Sequence, residues 1–221
     1  MRSCSIRWSV LFVAALVSST TACTEAVITG PAMTGPAYAT YNSTTIDFKV
    51  LYPKLSTQVP SLTMKGDTTL QKFTVNPPDG KLIKFGKTSG DVIAIPGNAL
   101  CDPKLNSYGP TEWRKPCVLA KSSIEFFVRT WTDPAGHRHA DFSPAIRFNP
   151  SAPVPVRLYF QDTRLVAFTS VFIPYCDALN VCLNEGVGDS ELETYVSPLQ
   201  GGGYWVYRTL RHFSGYTVTA D

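Results

Sequence analysis

The sequence predicts an all-β fold: an antiparallel, immunoglobulin-like sandwich with few or no helices after an N-terminal signal. Many short segments alternate apolar and polar side chains, and turns with Pro and Gly separate them. After the signal, no segment keeps an apolar period of 3.6 residues for three turns. Hydrophobic residues make up 44% of the 221 residues, which is enough for a core, whereas the net charge is only +3. Because nucleic-acid binders carry strongly basic surfaces, we expect no nucleic-acid partner.

The first 22 residues have the layout of a secretory signal peptide. Arg2 and Arg7 supply a positive start, Val10 to Val17 is a short apolar run, and small residues follow up to Ala22. The apolar run is shorter than the ~20 residues that a membrane-spanning helix needs. The sequence therefore predicts a signal peptide over residues 1–22.

The end of this signal resembles that of bacterial lipoproteins, in which cleavage leaves a cysteine that then carries lipid. Ala22 and Cys23 fit that pattern, and Thr24 at the next position is typical of outer-membrane rather than inner-membrane lipoproteins. The resemblance implies a lipid-anchored protein of the outer membrane or cell surface. The alternative is ordinary cleavage after Ala22, which would leave a secreted or periplasmic protein.

Composition divides the rest of the chain into a tether and a domain. Residues 24–45 are rich in Thr, Ala, Gly, Pro and Ser, which favours a flexible linker. Residues 46–52 predict a single strand, and residues 53–69 return to a loop composition. We therefore expect a lipid-anchored tether over residues 23–69 and a β-sandwich domain over residues 70–221.

Strand signals are closely spaced from residue 70 onward. Residues 71–75 and 81–85 flank Pro-Pro-Asp-Gly, a turn sequence that predicts a hairpin. The clearest apolar–polar alternation covers residues 154–161. Further predicted strands cover residues 91–95, 124–128, 204–210 and 216–219.

The cysteines predict two local disulfides. Cys101 and Cys117 flank one loop, Cys176 and Cys182 flank another, and one cysteine leaves with the signal. An oxidising compartment allows each local pair to form a bridge. Cys23 is then the unpaired cysteine, as lipidation requires. The two bridges either staple surface loops or make one or both loops a rigid binding tip.

Three stretches share features with one family of β-sandwich domains, namely Val92–Leu100, Phe142–Leu158 and Leu210–Tyr216, which together span about residues 82–219. They resemble the ZU-type domain of ankyrins, zona-occludens proteins and netrin receptors. The resemblance implies a β-sandwich that binds other proteins and is not a metabolic enzyme. The cysteine loops depart from the animal members, so the loop functions of those members are not carried over.

The last of these stretches contains the motif His212-Phe213-Ser214. Some ZU-type domains cut their own backbone between Phe and Ser of such a motif. In that reaction the Ser214 hydroxyl attacks the Phe213 carbonyl, His212 takes the proton, and water hydrolyses the ester. The alternative is that Phe213 belongs to the core, Ser214 to a turn, and His212 to an edge.

Other candidate sites have weaker signals. His137 and His139 would face the same side of a strand, as metal ligands must. However, the preceding Asp-Pro-Ala-Gly sequence favours a solvated hairpin end, so we expect no metal site. No glycine loop of the phosphate-binding type and no nucleophile-elbow motif is present in the sequence, and we expect no cofactor.

Aromatic side chains provide one more candidate surface, a stacking platform for sugars or peptides. The alternative is that most of them lie in the core or form cross-strand pairs. Trp113 has the best position for binding, since it lies inside the first cysteine loop. The set comprises Trp113, Trp131, Tyr204, Trp205 and Tyr207.

These observations favour a non-catalytic protein-interaction or structural module that is tethered at the bacterial cell envelope. Its partner would be an envelope or extracellular protein, and it would contact the membrane through the lipid anchor alone. Two alternatives remain: a domain that cleaves itself between Phe213 and Ser214, and a carbohydrate-binding accessory domain.

Overall fold

The computed structural model describes residues 39–162, 171–177 and 181–220. These residues form two β-sheets, one helix of four residues and one short 3-10 turn, which confirms the predicted all-β antiparallel sandwich. The signal peptide, Cys23 and tether residues 24–38 lie outside the described residues. Within the described part, no helix is long and apolar enough to cross a membrane.

The first sheet has seven strands, and both of its edges are formed by short strands from the N-terminal part of the domain. All neighbours are antiparallel except the two edge pairs, which are parallel. In spatial order the strands are β1 (Thr40–Tyr41), β13 (Thr194–Pro198), β14 (Tyr204–Thr209), β9 (Arg157–Asp162), β6 (Asp91–Pro96), β5 (Gly80–Phe85) and β2 (Thr57–Gln58).

The second sheet is antiparallel throughout, and the last strand of the chain lies in its interior. In spatial order its strands are β12 (Cys182–Leu183), β11 (Tyr175–Cys176), β15 (Gly215–Ala220), β8 (Arg138–Ser143), β7 (Ile124–Thr132), β4 (Thr68–Val75) and β3 (Leu62–Lys65). One further short strand, β10 (Val171–Phe172), also pairs with β15.

The main core lies between the two sheets and follows from the alternation of the strands. In β4 and β7 every second side chain is buried, including Phe73, Phe126 and Val128. Phe73 and Phe126 stack with their ring centroids 5.4 Å apart. Because successive side chains of a strand point to opposite faces, each of these strands buries one face, which carries most of its large apolar side chains, and exposes the other.

The segment from residue 40 to residue 58 forms a strap across the outer face of the first sheet. It runs from β1 at one edge to β2 at the other, and between them lies the helix α1 (Phe48–Leu51). The Phe48 ring contacts those of Tyr159 and Trp205, with centroids 5.0 and 5.2 Å away. The Tyr52 hydroxyl lies 2.8 Å from that of Tyr159. The strap therefore gives this sheet a second, smaller apolar layer on its outer side.

The strap and the strand β3 that follows it differ from two predictions made from the sequence. Residues 46–52 were predicted as a strand, but residues 48–51 are helical, and the Asp47 side chain caps this helix by accepting a hydrogen bond from the Lys49 amide. Residues 40–69 were predicted as tether, yet β1, β2 and β3 pair with strands of both sheets. Their polar composition suits edge strands, which are half solvated, so composition alone did not distinguish them from a linker.

The predicted hairpin around Pro-Pro-Asp-Gly is also wrong. The two flanking strands form as predicted, but β4 belongs to the second sheet and β5 to the first, so the turn passes from one sheet to the other. Gly80 adopts a φ of +68°, and a Cβ there would collide with the Ile95 carbonyl oxygen of β6. Turn chemistry thus predicted the reversal of the chain but not the partner of each strand.

Candidate functional site

Both predicted disulfides are present, and the loop closed by the first contacts residues on either side of the second bridge. Cys101 pairs with Cys117, and Cys176 pairs with Cys182 across β11 and β12. The first loop contacts the segment around the second bridge in two places. The rings of Trp113 and Tyr175 lie 5.8 Å apart, and the Arg114 guanidinium binds the Asp189 carboxylate at 2.6 Å.

The motif His212-Phe213-Ser214 connects β14 to β15 directly beneath these loops. The Phe213 side chain is fully buried and stacks on Phe142 at 4.7 Å, which confirms its predicted place in the core. The Phe213 amide donates to the Ile146 carbonyl at 2.8 Å, and the Ser214 carbonyl accepts from the Phe142 amide at 3.1 Å. The backbone is therefore fixed on both sides of the Phe213–Ser214 peptide bond.

His212 is completely buried, so it is not an edge residue. Its Nδ1 atom lies 3.1 Å from the Ser214 hydroxyl oxygen, and its Nε2 atom lies 3.1 Å from a carboxylate oxygen of Glu185. The Tyr216 hydroxyl donates to the His212 backbone carbonyl at 2.7 Å. The imidazole therefore bridges a hydroxyl and a carboxylate, as the base of a hydrolytic triad does.

The Glu185 carboxylate is held in its charged form. Its other oxygen accepts from the Arg208 guanidinium at 2.9 Å, and both side chains are almost completely shielded from solvent. Burial acts to raise the pKa of Glu185, but the hydrogen bond from His212 and the charge of Arg208 outweigh it, so this pKa lies below its ordinary value. An ionised Glu185 accepts a hydrogen bond from the N–H group at His212 Nε2. This tautomer leaves the Nδ1 atom of His212 as a hydrogen-bond acceptor.

Tyr108 of the first cysteine loop contacts the carbonyl of the motif. Its hydroxyl donates to the Phe213 carbonyl oxygen at 2.8 Å and lies 3.1 Å from His212 Nδ1. Although Tyr108 is 41% exposed, partial desolvation of its hydroxyl raises its pKa to about 12, and the hydroxyl keeps its proton at neutral pH. Sequence analysis did not single out Tyr108 or Glu185, and no local motif around either residue indicates this role.

Trp113 covers one face of the His212 imidazole, and the Trp113 side chain itself is half-buried. Its ring stacks on the His212 imidazole at a centroid distance of 3.7 Å and an interplanar angle of 19°. The indole Nε1 atom is buried and has no hydrogen-bond partner among the residues that the structure describes. The aromatic residue that was predicted to bind a ligand thus packs against the imidazole, where it excludes water from one side of the ring.

The remaining candidate residues lie elsewhere. At the β7–β8 turn, His137 Nδ1 and His139 Nε2 both contact the Asp133 carboxylate, at 3.0 and 3.2 Å. No cluster of three metal-ligating side chains with metal-site geometry occurs among the described residues. Trp205 and Tyr207 are buried beneath the strap, in the outer apolar layer of the first sheet.

Comparison of the chain with protein-family models, curated proteins and solved structures found no match. The resemblance to ZU-type domains therefore stays a prediction from the sequence. Any assignment of function depends on the geometry of the site itself.

Proposed function

We propose that this chain is a domain that cleaves its own backbone between Phe213 and Ser214. The observation that supports this function best is the 3.1 Å distance between the Ser214 hydroxyl and His212 Nδ1, in a histidine whose other nitrogen contacts Glu185. A hydroxyl, an imidazole and a carboxylate in this order form the arrangement that activates a serine nucleophile. Sequence analysis favoured a non-catalytic module, and this geometry favours the self-cleaving alternative.

The hydrogen bonds of the site are mutually consistent with that role. Glu185 accepts a hydrogen bond from the N–H group at His212 Nε2, so Nδ1 presents a lone pair to the Ser214 hydroxyl. The Tyr108 hydroxyl donates its single hydrogen bond to the Phe213 carbonyl oxygen. The nucleophile, its base and the polarised carbonyl thus belong to neighbouring residues, and the reaction needs no cleft for an external substrate.

The chemistry proceeds in two stages. In the first, Ser214 Oγ bonds to the Phe213 carbonyl carbon while His212 takes the hydroxyl proton. The carbon–nitrogen bond then breaks, His212 returns the proton to the departing amine, and an ester joins Phe213 to Ser214 Oγ. In the second stage one water molecule hydrolyses the ester. The products are a chain that ends in the Phe213 carboxylate and a peptide that begins with the free amine of Ser214.

Intact mass spectrometry under denaturing conditions tests this proposal. Protein refolded with its disulfides formed should convert with time into a fragment ending at Phe213 and a peptide starting at Ser214. Ser214→Ala should stay intact, and Ser214→Cys should still cleave because a thiol is also a nucleophile. Ser123→Ala, an exposed position, is the matched control and should cleave like the unaltered chain. An unaltered, correctly folded chain that stays intact on long incubation would overturn the proposal.

A second candidate is the interaction module, which the surface of the loop end favours. Apolar side chains on and beside both cysteine loops are exposed, namely Leu105, Val118, Val181, Leu183 and Val187. Exposed apolar groups on disulfide-constrained loops are typical of protein-binding surfaces. Leu105→Ser/Val181→Ser should lose an envelope protein that the unaltered domain captures after cross-linking, whereas Val50→Ser on the strap should retain it. Equal capture by all three chains would contradict this function.

The cell location is a proposal from the sequence. Cys23 would carry the lipid that anchors the domain at the outer membrane or cell surface, and the two disulfides favour an oxidising compartment. Cys23→Ser should shift the protein from the detergent phase to the aqueous phase on phase separation. A mature chain whose N-terminal mass shows an unmodified Cys23 would contradict lipidation.

A further inference from the structure

Tyr108 reaches the reacting carbonyl from a loop that is far from it in sequence. Its hydroxyl lies 2.8 Å from the Phe213 oxygen across a separation of 105 residues. Its ring meets the His212 imidazole edge-on, with centroids 5.9 Å apart. The raised pKa of about 12 means that the group is a neutral hydrogen-bond donor throughout the physiological pH range.

We propose that Tyr108 is a catalytic residue of the self-cleavage reaction, where it stabilises the oxyanion that forms at Phe213, and that the Cys101–Cys117 disulfide holds it in place. This inference rests on the proposed function. When Ser214 attacks, the Phe213 carbonyl oxygen gains negative charge, and a donor already in contact with it stabilises that charge without further rearrangement. Tyr108 loses no proton in the reaction, since His212 is the base.

The loop that carries Tyr108 is fixed at its base. Cys101 and Cys117 close it covalently. The buried Arg147 guanidinium extends into the loop and donates to the carbonyls of Lys115 and Pro116, both at 3.4 Å, and also to that of Glu112.

The Asn106 side chain also joins the two ends of this loop by hydrogen bonds to backbone groups. Its amide donates to the Asp102 and Val118 carbonyls at 2.7 and 2.8 Å, and its carbonyl accepts from the Val118 amide at 2.9 Å. Tyr108 lies only two residues beyond Asn106, whereas regular strand pairing holds none of residues 102–116. The covalent bridge therefore limits how far the Tyr108 hydroxyl can move from Phe213.

The arrangement makes cleavage depend on oxidation. His212 and Ser214 lie on the segment between β14 and β15, outside the loop, so reduction of Cys101–Cys117 leaves nucleophile and base in place. It removes the covalent restraint on the loop and leaves only non-covalent contacts, such as the hydrogen bonds of Asn106 and the stacking of Trp113 on His212, to hold the oxyanion donor near Phe213. A chain with reduced cysteines should therefore cleave slowly, and oxidation should accelerate the reaction.

The test compares cleavage rates of full-length chains refolded from denaturant, followed by intact mass. Tyr108→Phe removes only the hydroxyl and should slow cleavage by about 100-fold, the usual effect of removing one oxyanion donor. Its melting temperature should stay close to that of the unaltered chain. Tyr195→Phe is the matched control, since Tyr195 lies in β13 on the outer face of the first sheet, and it should leave the cleavage rate unchanged. Cys101→Ser/Cys117→Ser, assayed well below its melting temperature, should cleave at least 10-fold more slowly.

The possible results separate this inference from the proposed function. If the unaltered chain cleaves and Tyr108→Phe cleaves equally fast, Tyr108 is not the oxyanion donor, while self-cleavage stands. If the cysteine variant keeps the full rate, the disulfide does not position the donor. If the unaltered, oxidised chain never cleaves, the proposed function falls and the role of Tyr108 falls with it.

Discussion

Arg208 and Glu185 form an ion pair 2.9 Å apart in which the Arg208 side chain has no exposed surface and that of Glu185 only 7%. Arg208 also donates to the Ile173 carbonyl at 2.6 Å, so both charges are neutralised by partners inside the protein. Glu185 in turn contacts His212. The pair therefore links the stability of the domain to the chemistry of its candidate site.

We expect Glu185→Gln to lower the free energy of unfolding by about 3 kcal/mol, because it leaves the buried Arg208 charge without a charged partner. Chemical denaturation measures this change. Glu125→Gln is the matched control, since Glu125 pairs with Lys72 where both side chains are about half exposed, and it should cost less than about 1 kcal/mol. Equal losses in the two variants would show that burial of the first pair has no energetic consequence.

The second prediction concerns Asp91 and the pH dependence of the free energy of unfolding. Burial raises the pKa of this carboxyl to about 6, although Arg138 beside it acts to lower the pKa. Between about pH 4 and pH 6 the folded protein therefore binds this proton more tightly than the unfolded chain does. The contribution of Asp91 to the free energy of unfolding should decrease as the pH rises through that range, by up to about 3 kcal/mol, and stay constant above it.

Denaturation of the unaltered chain and of Asp91→Asn at pH 4, 5, 6 and 7 measures the effect. The stability difference between the two chains should change with pH up to about 6 and then become constant. A difference that is the same at all four values would mean that Asp91 keeps its ordinary pKa in the folded protein.

The glycine at the sheet-to-sheet turn gives a third prediction. Gly80 and Gly66 have similar φ values, +68° and +61°, but only Gly80 lies against backbone atoms. Gly66→Ala should cost about 1 kcal/mol, the strain of a side chain at positive φ. Gly80→Ala adds a collision with the Ile95 carbonyl and should cost about 3 kcal/mol. Similar melting temperatures for the two variants would contradict this account of the turn.

A fourth prediction concerns the strap. A chain that begins at residue 59 lacks β1, α1 and β2 and uncovers Trp205 and Tyr207 on the first sheet. It should bind a hydrophobic dye and unfold at much lower denaturant concentration than a chain that begins at residue 39. If both chains unfold at the same denaturant concentration, the strap adds nothing to stability.

Strands that alternate in polarity and lie in the middle of a sheet could be predicted from the sequence. β7 has this pattern, and its buried Phe126 and Val128 mark the inward face. The disulfides could also be predicted, because each pair closes a short local loop. The alternation over residues 154–161 also predicted β9, but not the burial of both of its faces. Leu158 and its neighbour Tyr159 are both buried, since the strap covers the outer face of the sheet.

The candidate site could be predicted only in part. His212 and Ser214 are close in sequence, so a short motif indicated them. Glu185 contacts His212 across 27 residues, and Tyr108 contacts Phe213 across 105. Both lie outside the strands, on segments that only the folded chain brings to the motif, and no local pattern encodes such contacts.

The interior position of β15 has a consequence for biosynthesis. This strand lies between β11 and β8, so the second sheet cannot close before residues 215–220 have left the ribosome. β1, near the opposite end of the chain, cannot pair until β13 has also been synthesised. Pairings of such long range form slowly, and a nascent chain that cannot yet complete them keeps the edges of both sheets unpaired.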